Sequence, residues 1–253
     1  MKISDSIDSI YSLDSFFPHA AQISLREDLQ IHYQMVLDFL GPLLTAERRE
    51  KIERVVGLRN FQTAVVLDGI YDRGNISAVM RTAEGLGFAN FHVIETQERF
   101  KEANRVTQGA DKWTEVRKWK TPREAAVHLK SLGHRLIVTH LDASKPLQDI
   151  DFTAPSALVL GNEKSGVSDA MIELADERVR IPMTGFVQSF NISVAGALCL
   201  YEIHRQQQDS LAQRLTPEQQ GILRAHYYLR TLDSGKDMLI ENLTRQGGPR
   251  HMV

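Results

Sequence analysis

From about residue 63 onward, short apolar runs alternate with segments of helical periodicity, and this alternation constrains the fold more than any other feature of the chain. Such an order favours a parallel sheet that is covered by helices on both faces. The predicted strands are 63–67, 91–94, 135–139, 157–160 and 179–181, and the predicted helices are 76–86, 122–132 and 191–208. The sequence therefore predicts an α/β fold with an open, mainly parallel sheet.

Two segments of different character flank this region. Residues 1–40 carry two basic residues against six acidic ones, a net charge of −4, and their apolar spacing predicts a helix between residues 25 and 40. Thr45 is the predicted N-cap of a helix over 46–56, Pro217 is expected near the start of another helix, and a last helix is expected to end at 247–249. We predict an acidic N-terminal extension (1–44), an α/β domain (45–210) and a C-terminal helical extension (211–253).

Bulk composition excludes few functions. The formal net charge of −2 gives no general attraction to a polyanion, so any affinity for RNA must come from a local basic patch. The single cysteine, Cys199, excludes an intrachain disulfide and is expected in the core. The N-terminus lacks the pattern of a signal peptide, and no apolar run approaches 20 residues, so we expect a cytoplasmic protein that does not contact a membrane.

The first polar motif covers residues 74–83, with the sequence GNISAVMRTA. Its apolar side chains form one stripe at helical spacing, Ile76, Val79, Met80, Ala83 and Leu86. Arg81 falls on the side away from this stripe, and Asn75 stands at the beginning of the helix. Taken alone, such a segment more often contains a capping asparagine and a solvated arginine than a functional site.

The second motif, LGNEKSG at residues 160–166, follows a predicted strand. Gly161 allows a ligand to approach the backbone, and Glu163 projects from the loop. A phosphate-binding loop needs four residues between its first glycine and a Gly-Lys-Ser/Thr sequence, whereas only two residues separate Gly161 from Lys164, so nucleotide hydrolysis is excluded. The alternative is an ordinary strand-to-helix turn with Ser168 as N-cap. No residue pattern predicts a metal site.

The third motif begins with Ile181-Pro182-Met183 and continues to Ala195. Pro182 stiffens the chain after the strand. Ser189 and Asn191 precede a helix whose first turns contain small residues, among them Gly196. Small side chains let another segment pass close by, and ordinary close helix packing is the alternative explanation.

In this order and spacing, the three motifs resemble those of the SpoU/TrmH family of S-adenosylmethionine-dependent RNA ribose 2'-O-methyltransferases, over about residues 45–210. The resemblance implies S-adenosylmethionine as cofactor, RNA as substrate and a homodimer. It also implies a sheet whose C-terminal part forms a trefoil knot of the SPOUT type. General rules of chain connectivity argue against a knot, so this expectation depends on the resemblance alone.

The resemblance also implies roles for individual residues. The expected catalytic residues are Arg81, Asn75, Glu163, Ser189 and Asn191. The expected cofactor-binding residues are Thr139, His140, Gly161, Ile181, Met183, Phe190 and Asn191. Because a guanidinium is almost never deprotonated, we expect Arg81 to bind the phosphate next to the target ribose instead of acting as a simple base. Phe190 replaces a usual leucine, which is expected to reshape the pocket wall.

Candidate RNA contacts come from local charge. Residues 41–60 have a net charge of +2, and the expected contacts in this stretch are Arg48, Arg49, Lys51 and Arg54, with a solvated helix surface as the alternative. Lys112 matches an RNA-binding position of the family, and Arg117, Lys118 and Lys120 lie close by in sequence. Further on, the aromatic pair Tyr227 and Tyr228 stands among basic residues and could stack on RNA or pack internally.

The choice of RNA depends on three features, Val187-Gln188-Ser189, Asp111-Lys112-Trp113 and the helix after Thr45. They are most similar to the branch of the family that methylates guanosine 18 in the tRNA D-loop. The alternatives are a ribosomal RNA 2'-O-methyltransferase and an inactive RNA-binding protein of the same fold. The presence of all five expected catalytic residues argues against an inactive protein.

Overall fold

The predicted alternation of strands and helices extends from residue 60 to residue 207 in the computed structural model, which describes residues 16–94, 110–208 and 215–245. The chain divides into two units. Of the described residues, 17–58 and 215–245 belong to the first unit, and residue 16 with residues 59–208 belongs to the second. All the strands predicted from the sequence lie in the second unit.

The N-terminal part of the first unit contains a β-hairpin where the sequence predicted a helix. Its elements are strand β1 (Gln22–Arg26), strand β2 (Leu29–His32) and helix α1 (Tyr33–Leu40). The strands pair antiparallel, and Ile23, Leu25 and Ile31 are buried while their neighbours are more exposed. This alternation has the two-residue period of a strand. The helical prediction was wrong for residues 25–32 because apolar residues there also fit a helical spacing.

Helix α2 covers Ala46–Val56, the range predicted from the sequence. Thr45 is its N-cap, as predicted, because the hydroxyl of Thr45 accepts a hydrogen bond from the backbone N–H of Arg48 at 3.2 Å. Ile52 and Val56 are buried, and the opposite side of α2 is exposed.

The second unit contains a seven-stranded sheet in which every pair of neighbours is parallel. Its strands are β3 (Asn60–Asp68), β4 (Phe88–Ile94), β5 (Glu115–Trp119), β6 (Arg135–Thr139), β7 (Lys145–Pro146), β8 (Ser156–Leu160) and β9 (Glu177–Arg180). They lie in the order β5-β4-β3-β8-β6-β9-β7. The predicted α/β fold with a parallel sheet is therefore confirmed.

Two of these strands were not predicted, and both lie at the edges of the sheet. Strand β5 carries mostly charged and polar side chains, because an edge strand need not be buried on both faces. Strand β7 is only two residues long. By contrast, the central strand β8 is buried along its whole length, which explains why its continuous apolar run was recognisable.

Among the described residues of the second unit, four α-helices cover the two faces of the sheet. They are α3 (Arg73–Gly85), α4 (Pro122–Ser131), α5 (Asp169–Leu174) and α6 (Ile192–Gln207). On one face, α3 and α6 pack with Leu67, Val93 and Leu160 in a single apolar cluster. On the other face, α4 and α5 pack with Val66 and Val159. Covering on both faces was predicted from the alternation of strands and helices, and it is confirmed.

The first unit is completed by helices α7 (Pro217–Thr231) and α8 (Gly235–Arg245). Helix α7 begins at Pro217 as predicted and packs against α1 and α2, where Arg224 Nη2 donates to Glu53 Oε1 at 2.6 Å. Tyr227 and Tyr228 are buried, so they pack internally and are not exposed for stacking on RNA. The predicted helix end at 247–249 lies outside the described residues. Residues 1–15 of the acidic segment also lie outside them.

None of the helices in the described ranges is both long enough and apolar enough to cross a membrane.

Two buried histidines of the second unit predict a loss of stability in acid. Burial lowers the pKa of His134 from 6.5 to about 4, and burial followed by the charge of His128 lowers the pKa of His92 well below 6.5. Between pH 6.5 and pH 4, these histidines therefore bind protons in the unfolded chain but remain neutral in the folded chain. We expect the free energy of unfolding to fall over this window, by up to about 3 kcal/mol from His134 alone.

Thermal or urea unfolding of the wild type and of His134→Gln between pH 4 and pH 7.5 measures this effect. The variant should lose less stability on acidification, because glutamine does not titrate. His204→Gln, which changes a half-exposed histidine of α6, serves as control and should keep the pH dependence of the wild type. Identical profiles for wild type and His134→Gln would contradict the prediction.

Candidate functional site

The three motifs meet at one edge of the sheet. Because all seven strands are parallel, their carboxyl ends lie along the same edge, where ligands of open α/β sheets commonly bind. The loop after β3 leads into the first motif, the loop after β8 contains the second, and the segment after β9 contains the third. Motifs separated by more than a hundred residues are therefore brought together by the strand order.

The first motif lies at the beginning of α3, which starts at Arg73, earlier than predicted. Asp72 is the N-cap, and its carboxylate accepts hydrogen bonds from the N–H groups of Gly74 at 2.6 Å and Asn75 at 3.3 Å. Asn75 is therefore not the capping residue, and its side-chain amide is available for other contacts. The capping role of Asp72 was missed, although an aspartate just before a helix is a recognised signal.

A chain of hydrogen bonds joins the three motifs through the side chain of Asn75. Asn75 Nδ2 donates to Glu163 Oε1 at 2.8 Å, and Asn191 Nδ2 donates to Asn75 Oδ1 at 3.2 Å. Asn191 is at the same time the N-cap of α6, because its Oδ1 accepts from the N–H of Ser193 at 2.9 Å. Three of the five expected catalytic residues are thus in direct contact.

The loop of the second motif is held by a residue that sequence reasoning missed, Asn162. This side chain is 7% exposed, donates to the carbonyl oxygen of Gly69 at 2.7 Å and accepts from the N–H of Lys164 at 2.8 Å. Backbone hydrogen bonds between Asn162 and Gly166 close a tight turn that projects Glu163 outward. Asn162 therefore fixes the loop while Glu163 faces the site.

The end of the same loop is tied to strand β3. The N–H of Ser168 donates to Asp68 Oδ2 at 2.8 Å, and Asp68 is almost fully buried. Ser168 is the N-cap of α5, as the alternative explanation of the motif proposed, although its hydroxyl makes no capping hydrogen bond. The strand-to-helix turn between β8 and α5 and the loop that carries the second motif are therefore the same segment, so the two interpretations of the motif do not exclude each other.

Gly161 leaves no space for a side chain. A Cβ atom at this position would lie 2.2 Å from the backbone nitrogen of Val167 and 2.3 Å from the carbonyl carbon of Gly166. The glycine is therefore required because the two sides of the loop pass each other closely, whether or not a ligand is bound.

Arg81 and Ser189 remain outside the hydrogen-bonded chain. Arg81 is exposed on the side of α3 opposite the buried stripe, as predicted, about 9 Å further along the helix axis than Asn75. Within the described part of the chain, its guanidinium forms no hydrogen bond or ion pair. Ser189 is also exposed, two residues before Asn191. Both side chains are accessible to a ligand.

The expected cofactor-binding residues lie at the carboxyl end of β6 and on the segments that follow β6, β8 and β9. Thr139 Oγ1 donates to the carbonyl oxygen of Val159 at 3.1 Å, and His140 N donates to the carbonyl oxygen of Val179 at 2.9 Å, so both residues tie neighbouring strands together. Ile181 is half-buried against the core, Met183 is half-buried and Phe190 is 37% exposed. Residues 184–191 are all exposed.

The expected RNA contacts lie in both units. On α2, Arg48, Lys51 and Arg54 are exposed, whereas Arg49 Nη1 donates to the carbonyl oxygen of Gly41 at 2.9 Å and so has a structural contact. In the second unit, Lys112 is exposed in a short 3-10 helix and lies 5.7 Å from the ring centre of Trp113. The side chain of Asp111 lies outside the described part.

Substitution of Gly161 by alanine is expected to destabilise the second unit. The added Cβ meets backbone atoms that cannot rotate away, so we expect a cost of about 3 kcal/mol in the free energy of unfolding. Gly85→Ala is the matched control, because no atom lies within 4 Å of a Cβ at that position at the end of α3. Thermal unfolding of both variants measures the difference, and equal melting temperatures would contradict the prediction.

Comparison with known proteins identifies the family. The model of the SpoU rRNA Methylase family matches residues 62–201, more than half of the chain. The tRNA (guanosine(18)-2'-O)-methyltransferase of Borreliella burgdorferi is 34% identical over 206 residues, which cover 81% of this chain and 94% of the relative. The enzyme of the same name from Escherichia coli K12 is 34% identical over 164 residues, 64% of this chain and 72% of the relative.

A ribosomal relative and two solved structures are also similar. The 23S rRNA (guanosine-2'-O-)-methyltransferase RlmB of a Burkholderia species is 36% identical over 149 residues, 56% of this chain and 58% of the relative. The TrmH/SpoU tRNA modifying enzyme of A. aeolicus is 31% identical, with a TM-score of 0.67, and the match covers 74% of this chain and 98% of that one.

The SpoU methyltransferase AviRb of Streptomyces viridochromogenes, in complex with its cofactor AdoMet, is 29% identical with a TM-score of 0.54, and the match covers 58% of each chain. The family match spans the region in which the three motifs meet at the carboxyl edge of the sheet. This chain therefore belongs to the SpoU rRNA methylase family and is an RNA methyltransferase that uses S-adenosylmethionine.

Proposed function

We propose that the protein transfers a methyl group from S-adenosylmethionine to the 2'-hydroxyl of guanosine 18 in the tRNA D-loop. One observation supports this target over a ribosomal one. Similarity to the tRNA enzyme of B. burgdorferi extends over 94% of that enzyme, whereas similarity to the Burkholderia ribosomal enzyme extends over 58% of it. Segments outside the shared core are free to differ between RNA targets, so similarity that includes them favours tRNA.

The segment after β9 suits the nucleoside part of the cofactor. Within the described part of the chain, the backbone groups of Met183 and Phe190 form no hydrogen bond to protein, and such groups are strong donors and acceptors. We expect the backbone of Ile181, Met183 and Phe190 to hold the adenine and ribose. Gly161 and the end of β6 would complete the pocket. When bound, the cofactor supplies an electrophilic methyl group on a sulfonium.

Methyl transfer forms a bond from the ribose O2' to the methyl carbon, breaks the carbon–sulfur bond, and releases the hydroxyl proton to solvent. The oxygen must approach in line with the breaking bond, so the main task of the protein is positioning. We propose that Arg81 binds the phosphate next to the target ribose through its planar fork and thereby orients the hydroxyl. Ser189 and Asn191 would donate hydrogen bonds where charge develops.

Asn75 and Glu163 have a supporting role in this proposal. The hydrogen bond from Asn75 Nδ2 to Glu163 Oε1 fixes the amide of Asn75, which in turn accepts from Asn191. A carboxylate strengthens such a hydrogen bond relative to a neutral acceptor. Glu163 would therefore organise the site from the loop after β8 without touching the methyl group.

For RNA binding we propose Arg48, Lys51 and Arg54 on α2, which are exposed and lie on successive turns, and Lys112 in the second unit. Lysine and arginine at such positions bind the phosphate backbone without reading its sequence. The contact of Arg49 with the carbonyl of Gly41 makes it a weaker candidate than the other three residues of α2.

We also propose the trefoil knot of the family. A knot requires segments to pass close to one another, and the packing of α6 against β8 and α3 supports it. A Cβ on Gly196 of α6 would lie 3.1 Å from Leu160 Cδ1 and 3.1 Å from Val79 Cγ2. Near the C-terminal end of α6, Gln206 Nε2 donates to the carbonyl oxygen of Ile150 at 3.0 Å and Gln207 Nε2 donates to the carbonyl oxygen of Phe152 at 2.6 Å. These bonds hold α6 close to the segment before β8.

Finally, we propose that the protein is a homodimer that pairs through α6. Val194, Leu198 and Tyr201 follow each other at spacings of four and three residues and therefore lie on one side of this helix. They are 46%, 42% and 61% exposed, whereas other apolar residues of α6, such as Leu200 and Ile203, are buried. A second copy of the same stripe would cover it by two-fold symmetry.

Arg81 variants test the catalytic proposal. We expect Arg81→Ala to lower kcat at least about 100-fold, because no other group would orient the hydroxyl, and Arg81→Lys to remain impaired because an ammonium lacks the planar fork. Arg123→Ala is the control, since Arg123 is an exposed arginine of α4 whose ion pair with Glu173 contributes little.

Transfer of labelled methyl groups to unmodified tRNA, followed by mass spectrometric mapping of the modified nucleotide, provides the readout. Methylation of a base, or of a ribose other than that of guanosine 18, would refute the proposed target. An Arg81→Ala enzyme within a few-fold of wild type would refute the proposed role of this residue.

The dimer proposal predicts that Leu198→Asp produces a monomer, because the charge would be buried in an apolar interface. Val127→Asp is the matched control, since Val127 is a 57% exposed apolar residue of helix α4. Sedimentation equilibrium should give a dimer for the wild type and the control and a monomer for Leu198→Asp. A monomeric wild type at micromolar concentration would contradict this arrangement.

A further inference from the structure

The outer strand β5 carries a lysine whose position relative to the site can be derived from the sheet register. Lys118 pairs with Val93 of β4, Val93 pairs with Leu67 of β3, and Leu67 pairs with Leu160 of β8. These four residues form one row across the sheet. Leu160 immediately precedes Gly161, so the row leads from the second motif to the edge of the sheet.

The row also determines the face on which Lys118 lies. Paired residues of neighbouring strands point to the same face, and Val93, Leu67 and Leu160 all belong to the cluster that packs against α3 and α6. Val116, two residues before Lys118 on β5, packs against the same cluster. Lys118 therefore lies on the α3 face, the face of the helix that carries Arg81.

The neighbouring residues of β5 are arranged differently. Trp119 packs with the cluster on the α4 face, and the Arg117 guanidinium lies 4.3 Å from the ring centre of Trp119. Arg117 Nη1 also lies 2.9 Å from Nε2 of His128 on α4. Arg117 and Lys118 are adjacent in sequence but differ in environment. Arg117 is half-buried against α4, whereas Lys118 is exposed on the opposite face of the sheet.

A second lysine lies close to the same helix. The 3-10 helix Ala110–Trp113, which is separated from β5 by one residue, packs against α3 and carries the exposed Lys112. Two exposed lysines, Lys112 and Lys118, therefore lie on the face of the sheet that is covered by α3, the helix of Arg81. Adjacent strands are about 4.8 Å apart, so Lys118 lies about 14 Å from Leu160 along the row. Lys118 therefore lies away from the second motif, towards the edge of the sheet.

We infer that Lys118 binds a backbone phosphate of the RNA substrate a few nucleotides away from the target ribose. RNA is a polyanion, and the two exposed lysines Lys112 and Lys118 complement its charge. The contact would add affinity without reading sequence. This inference rests on the proposed function, because it needs an RNA that is methylated at this site.

The test compares Lys118→Gln, Lys118→Arg and a control in one RNA-binding and kinetic series. We expect Lys118→Gln to raise the KM for tRNA about five- to tenfold, to leave kcat and the KM for S-adenosylmethionine unchanged, and to reduce the slope of log K against log salt by about 0.7 to 0.9. Lys118→Arg should restore binding, because arginine also binds phosphate. Arg123→Gln on the α4 face should behave as wild type.

The outcomes separate this inference from the proposed function. A wild-type enzyme that does not methylate guanosine 18 would refute the proposed target whatever the variants do, and the series would then use the RNA that is methylated. A wild-type salt slope and KM for Lys118→Gln, with an active enzyme, would refute the phosphate contact. Equal losses for Lys118→Gln and Arg123→Gln would refute it as well, because the effect would then reflect overall charge.

Discussion

Hydrogen bonds from Asn191 to Asn75 and from Asn75 to Glu163 connect three segments that are separated by 116 and 88 residues in the sequence. Each segment is also fixed locally. Asp72 caps α3, Asn191 caps α6, and Asn162 closes the loop after β8. The contact between the motifs therefore joins elements that are already positioned by their own helices and strands, so little conformational freedom remains to be lost when a ligand binds.

Because Asn75 uses both ends of its amide, no other side chain of similar size could replace it without loss. Aspartate would provide two acceptors and no donor for Glu163, and leucine would provide neither. Glu163 and Asn191 each also depend on a second structure, the turn at 162–166 and the first turn of α6. The guanidinium of Arg81, by contrast, forms no hydrogen bond or ion pair within the described part of the chain, which leaves its full hydrogen-bonding capacity for a substrate.

The sequence allowed prediction of the parts of the fold in which local pattern and tertiary environment agree. The buried strands β6 and β8 and the capped helix α2 lie at or within one residue of their predicted positions. The β1–β2 hairpin was missed because its apolar residues fit both periods, and β5 because an edge strand carries charges that do not mark it as a strand. The contacts among Asn75, Glu163 and Asn191 could not be predicted from pattern, since they depend on strand order.

The small residues at the start of α6 explain how these contacts become possible. A Cβ on Gly196 would already be tightly packed against Leu160 and Val79, so any larger side chain would push α6 away from β8 and α3. Cys199, one turn later, is fully buried, and burial raises its pKa to about 12, so it fills the same interface as a neutral, compact side chain. Since Asn191 reaches Asn75 at 3.2 Å, an outward shift of α6 by even 1 Å would break the hydrogen bond. The packing of α6 therefore sets the position of its N-cap, Asn191, in the site.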